Sequence, residues 1–230
     1  MAVAGSRAGR VAAGPFAGAL ALALVLTLSG CATGEASAPS SVAPSVTGSL
    51  APEPTTAPAS TIPDGAFDEV LTLLVERLAT GDAVAASKLF SGAPVTDEAR
   101  EKAVLDAAAT RAAEVGADAD YVALVFADQI SASKEVQQSL LDAWAGGTLT
   151  PPTTAPDLAT EVRPVLDRIT QSLVPALASV EQYRADPGCA VAVEAAASSA
   201  TDAATTTPSA AIPSPTALAA LPTATMHLCG

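Results

Sequence analysis

Asp120-Tyr121-Val122-Ala123-Leu124-Val125-Phe126-Ala127-Asp128-Gln129-Ile130, continuing without Gly or Pro to Ala145, is the stretch that decides the fold. Tyr121, Leu124, Val125, Ile130, Val136, Leu140, Leu141 and Trp144 recur at steps that fit one face of a helix. The run is far longer than a strand, and Gly146-Gly147 ends it. No strand-like alternation competes elsewhere, so the fold class is all-α: a single bundle of about six helices.

Upstream, Phe67, Val70, Leu71, Leu74, Val75 and Leu78 predict a helix starting near Asp64. Thr80-Gly81-Asp82 is expected to interrupt it, with Asp82 capping a continuation over Ala83–Phe90. Thr96 is expected to cap a helix from about Asp97 to Val115, with Gly116 at its end. Downstream, a Pro/Thr loop from Thr148 to Pro156 precedes a helix over about Thr160–Tyr183. Pro164 suits its first turn, and Pro175 is expected to kink it. An Ala-rich helix over about Ala190–Ala203, a low-complexity loop over Thr205–Pro215 and a short helix near Thr216–Leu221 complete the domain.

The ends are of different character. Arg7 and Arg10 precede an apolar run, Phe16–Leu28, that is short for a membrane span and ends in Leu28-Ser29-Gly30-Cys31. That pattern is similar to a bacterial lipobox, which makes 1–30 a signal peptide and Cys31 the lipidated first residue of the mature chain, anchored outside the cell membrane. Residues 31–63 are Ala, Ser, Thr, Pro and Gly with little apolar bulk, the composition of a disordered tether. The folded domain is then 64–230, long enough for one core.

The chain carries a formal net charge of -13. Such acidity, with no basic stripe, excludes nucleic acid as a partner. Cys189 and Cys229 remain once Cys31 is set aside, and two cysteines in an exported chain most simply form a disulfide. The other readings are a metal site, for which His227 is the lone histidine, and a Cys–His pair.

Cations are scarce, and their placement is therefore informative. Arg77 and Lys88 are eleven residues apart and share a face if their helix is continuous. Asp97, Arg100 and Glu101 share a face on the next helix, and Ser133 and Gln137 on the long one. Three helices could thus offer polar groups to one small anion. A plainer arrangement fits the same residues: Arg77 paired with Asp68 or Glu76, Arg100 with Asp97, and Ser133, Lys134 and Gln137 facing water. No Ser/His/Asp set, phosphate loop or metal-ligand cluster is present in the sequence, and no cofactor is called for.

The Asp120–Ile130 run with Trp144 beyond it resembles the secreted, gamma subclass of the all-helical chorismate mutases, and the likeness extends over about Asp64–Cys189. The family spacing of an Arg, a Lys eleven on and an Arg twelve further is reproduced by Arg77, Lys88 and Arg100. Asp97, Glu101, Ser133 and Gln137 fall at the matching places. Arg163 comes after Pro156-Asp157-Leu158 with what looks like one extra residue between. Val104 stands where some relatives have Gln, and Lys134 where some have an acid.

The resemblance implies the Claisen rearrangement of chorismate to prephenate in a homodimer, and a Cys189–Cys229 disulfide. It implies Arg77 and Arg163 as carboxylate clamps and Ser133 as a further carboxylate contact. Arg100 supports the ring end, while Glu101 and Asp97 receive the ring hydroxyl. Lys88 and Gln137 donate to the ether oxygen. The alternative kept beside it is a non-catalytic anion-binding or scaffold lipoprotein on the same fold.

Overall fold

The computed structural model describes residues 61–206 and 212–230. The expected signal peptide, the expected lipidation site Cys31 and all but the last residues of the expected tether lie outside the described residues, as does 207–211 of the C-terminal loop. The described residues form helices and loops with no strand: α1 (Asp68–Ser91), α2 (Glu98–Val115), α3 (Ala119–Ala145), α4 (Arg163–Val180), α5 (Cys189–Thr206) and two short helices, α6 (Pro215–Ala219) and α7 (Leu221–Ala224). A π-helical turn, Leu158–Val162, leads into α4, and a 3₁₀ turn, Glu181–Tyr183, leaves it. None of these helices is long and apolar enough to cross a membrane.

Helix α1 is the axis of the bundle and packs against α3, α4 and α5, while α2 lies across α3 and α4. Their shared core includes Phe67, Leu71, Leu74, Leu78, Tyr121, Phe126, Ile169, Leu173 and Leu177, all essentially inaccessible to water. Each such side chain contributes about 1.5–3 kcal/mol through burial. Leu124, expected on the buried face of α3, is instead 41% exposed, because the buried stripe runs through Val122, Val125 and Phe126.

Three local expectations are corrected. First, α1 runs unbroken through Thr80-Gly81-Asp82. Gly81 serves close packing rather than a break: a Cβ there would lie 2.9 Å from Val136 Cγ1 on α3. Thr80 bonds back to the Arg77 carbonyl inside the helix, and Asp82 caps nothing but accepts from Ser214 Oγ at 2.9 Å. Second, α2 is capped by Asp97 rather than Thr96. The Asp97 carboxylate accepts the Arg100 backbone N–H, and Glu101 Oε1 accepts the Asp97 N–H in return. Third, the single C-terminal helix is two short ones.

Cys189 and Cys229 form a disulfide with Cα atoms 5.9 Å apart. Closing a loop of about 40 residues contributes about 4 kcal/mol by restricting the unfolded chain. The sequence carries no sign of how α3 holds the C-terminal tail. Buried Asp128 accepts from the His227 backbone N–H at 2.9 Å and contacts its ring Nδ1 at 2.8 Å. Buried Gln129 donates to the Ala224 carbonyl at 3.1 Å.

Candidate active site

One cavity, of about 230 Å³, is lined by all of Arg77, Lys88, Asp97, Arg100, Glu101, Ser133, Gln137 and Arg163. The volume suits a molecule smaller than a typical drug. Continuity of α1 puts Arg77 and Lys88 three turns apart on one face; the Gly81–Val136 approach brings that face close to Gln137 on α3. The αL glycine Gly92 ends α1 and lets the chain reverse, so that the capped start of α2 returns beside Lys88.

Arg163 reaches the same cavity by a different device. Its backbone N–H donates to the Leu158 carbonyl, five residues back, and closes the π-helical turn. A π-turn absorbs one additional residue without disturbing the helix beyond it. A turn of this kind is where an extra residue of the sort the resemblance suggests would be accommodated. Asp157 caps the turn by accepting the Ala159 N–H. That bond, together with one from the Thr160 hydroxyl, holds its carboxyl below the usual range.

The plainer pairings do not occur. Glu76 is engaged by Arg168, and Arg77 has no carboxylate partner among the described residues. Arg77 is only 8% exposed, and its guanidinium lies 5.6 Å from the centre of the Phe126 ring. Burial, and then the nearby Arg100 charge, pull the Arg77 guanidinium down to about 10. It remains a cation at neutral pH, buried against the Phe126 ring without an ion-pair partner among the described residues. Such a group is costly unless an anion joins it.

Lys88 Nζ donates to the Val95 carbonyl at 2.6 Å. Burial lowers its pKa, Asp97 and Glu101 oppose that fall, and Lys134 adds to it. Glu101 is paired with Lys134 at 3.2 Å. Arg100 and Arg163 sit at the exposed rim. Gln137 is buried; its Nε2 donates to both the carbonyl and the hydroxyl of Ser133, each at 3.0 Å. Gln137 Oε1 is buried with no hydrogen-bond partner among the described residues. Both amide hydrogens are therefore taken up within α3, a detail that one-turn spacing does not reveal.

Sequence reading misses the apolar part of the lining, Val84, Val95, Ile130, Leu158, Val162 and Leu166. Of these only Ile130 belongs to a face legible in the sequence, and that face reads as core. Val104 lines this cavity and also a second chamber of about 120 Å³ behind Arg77 and Arg100, reached by Asp167, Thr170 and Gln171.

The family model described as chorismate mutase type II matches residues 68–138, the segment that carries seven of the eight predicted site residues. A secreted chorismate mutase of Mycolicibacterium smegmatis is 34% identical over 114 residues, which are 50% of this chain and 62% of the relative. The secreted chorismate mutase of Mycobacterium tuberculosis is 29% identical over 128 residues, 56% of this chain and 64% of the relative. The chain thus spans somewhat under two thirds of each of these relatives. Among solved structures, a chorismate mutase from Burkholderia phymatum has a TM-score of 0.65 at 34% identity, covering 73% of this chain and 98% of that one. One from Burkholderia thailandensis has a TM-score of 0.62 at 37% identity, covering 72% and 100%.

Proposed function

Because the chain belongs to the type II chorismate mutase family, we propose that it converts chorismate to prephenate by holding the dianion in the cavity between α1, α2, α3 and α4. The observation that carries this reading is Arg77: a buried cation with no carboxylate paired to it among the described residues, in a cavity where further cations converge. A small dianion supplies the missing counter-charge.

The rearrangement is concerted. The ether C–O bond breaks as the new C–C bond forms, and no covalent intermediate on the protein is needed. Arg77 and Arg163 clamp carboxylates in the compact conformer, and Ser133 adds a hydroxyl donor. Arg100 braces the ring end, and Glu101 with Asp97 accepts from the ring hydroxyl. Lys88 and Gln137 donate to the ether oxygen, whose negative charge grows toward the transition state. Bonds that strengthen there are the ones that raise the rate.

Gln137 must rearrange to do this. A rotation that gives up the bond from Nε2 to the Ser133 hydroxyl, while keeping the one to the Ser133 carbonyl, frees one amide hydrogen for the ether oxygen and leaves the Ser133 hydroxyl free for a substrate carboxylate. The orphaned buried oxygen supports a donor or water being needed at this spot when no substrate is present.

The same reading places the catalytic domain at 64–230, behind a signal peptide at 1–30 and a tether at 31–63. The lipobox-like run at Leu28–Cys31 supports a lipid anchor on the outer face of the cell membrane. Likeness to secreted mycobacterial chorismate mutases supports an extracytoplasmic location. Likeness to the gamma subclass supports a homodimer with each site inside one chain. The test is to incubate the purified chain with chorismate and monitor both species by proton NMR. Saturable appearance of prephenate is expected; bound but unconverted chorismate would overturn the enzyme reading.

A further inference from the structure

At the rim of the cavity the Lys134 ammonium on α3 meets the Glu101 carboxylate on α2 at 3.2 Å. Both side chains are largely covered, at 34% and 26% exposure. Glu101 is held from two directions: Oε1 accepts the Asp97 N–H at 3.2 Å, and Oε2 lies 3.3 Å from Lys134 Nζ. A carboxylate fixed in this way has surrendered its rotamer freedom before any ligand arrives, so a ligand that uses it binds more tightly.

The pair also answers an electrostatic problem. A carboxylate lining a site for a dianion repels it. Lys134 sets a positive charge directly on that carboxylate, so that five cations in the lining face two carboxylates, Asp97 and Glu101. Glu101 then keeps its ability to accept a hydrogen bond while its charge is offset locally.

We infer that Lys134 is a positioning residue of this site, which holds Glu101 across the α2–α3 gap for the substrate's ring hydroxyl and offsets its charge toward the substrate's carboxylates. The inference rests on the mutase reading and on the place of Glu101 in it. Lys134 does this by holding Glu101, and it touches no substrate atom.

A double-variant cycle on the full chain, with chorismate as the probe, tests this. Lys134→Gln raises KM about two- to fivefold, the worth of a partly exposed ion pair, with kcat close to that of the parent. Glu101→Gln alone costs about tenfold in kcat/KM. With Glu101→Gln in place, adding Lys134→Gln costs less than it does in the parent, and Lys134→Arg alone keeps the parent KM. Gln and Ala both suit a helical, partly exposed position, so Lys134→Ala serves as a second variant, and the unfolding temperature of either stays near that of the parent. Losses that add across the cycle mean that Lys134 meets the substrate itself and overturn the inference. So does an unchanged KM in Lys134→Gln, or a fall in kcat at constant KM. Absence of prephenate with the unaltered chain overturns the mutase reading and the inference with it; additive losses in an active chain overturn the inference alone.

Discussion

The backbone N–H of Arg163 donates to the carbonyl of Leu158, five residues earlier rather than four, and Arg163 lines the cavity as a result. One widened turn thus accommodates an apparent misfit in spacing while Arg163 still lines the cavity. Deleting Thr160, an exposed residue of that turn, returns it to α geometry ahead of an unchanged α4. The expected kcat/KM stays within about tenfold of the parent, one 1.4 kcal/mol step. Arg163→Ala, by contrast, lowers kcat/KM by roughly 10- to 150-fold, the loss of a charge-assisted bond to the substrate. Steady-state kinetics on the two variants checks both.

Arg77 sets stability against function. Without ligand it is a buried cation with no carboxylate partner among the described residues. Arg77→Met, similar in bulk and apolar, is expected to stabilise the free chain by about 1–4 kcal/mol while lowering kcat/KM by at least ~100-fold. Thermal unfolding and kinetics on the same preparation decide it. A less stable, still active Arg77→Met would mean that the cation belongs to the fold and not to the site.

The pH profile depends on two donors. Gln137 does not titrate, so activity is expected to be level from mildly acid to neutral pH. In Gln137→Glu the new carboxyl donates only when protonated, and activity falls as pH rises through its pKa. On the alkaline side, Lys88 loses its proton below 10.5, chiefly because it is buried. Activity therefore declines there first. Stability moves in the opposite sense. A base whose folded pKa is depressed destabilises the fold while charged in both states, and this penalty is relieved as pH rises from the folded value toward 10.5. Rate profiles and denaturant midpoints over the same pH range should diverge in this way.

Gly81 lies inside α1, where alanine would ordinarily be favoured by about 1 kcal/mol. Here its Cβ would meet the stiff Val136 Cγ1 at 2.9 Å. Gly81→Ala is therefore expected to destabilise by about 1–3 kcal/mol, and to weaken activity because α1 and α3 carry opposite walls of the cavity. Adding Val136→Ala relieves the clash and recovers part of the activity. Urea unfolding of the single and double variants measures this.

The helical class was legible in the sequence because apolar steps are periodic, and the residues that line the cavity because their spacings resemble a family pattern as well as fitting single helix faces. Apolar steps mark α1 and α3, and the Arg77–Lys88, Asp97–Glu101 and Ser133–Gln137 spacings keep each pair on one face whatever the tertiary arrangement. Features that periodicity does not carry were not legible. Gly81 reads as a breaker unless the proximity of Val136 is known. Thr96 reads as the cap of α2 until the reciprocal bonds between Asp97 and the first turn are seen. Leu124 fits the apolar stripe but points away from the core. The Asp128–His227 contact joins residues 99 apart and has no local signature. The engagement of both Gln137 hydrogens by Ser133 depends on rotamers, which spacing leaves open.

On the proposed mechanism Lys88 meets the developing charge on the ether oxygen within the cavity that Arg77 lines. The most direct measurement is kcat for chorismate with the parent chain and with Lys88→Ala, each shown by circular dichroism to keep its helices. Saturable prephenate formation is expected for the parent, with a fall in kcat of about 100-fold or more in Lys88→Ala. A folded Lys88→Ala chain turning over at the parent rate would contradict it.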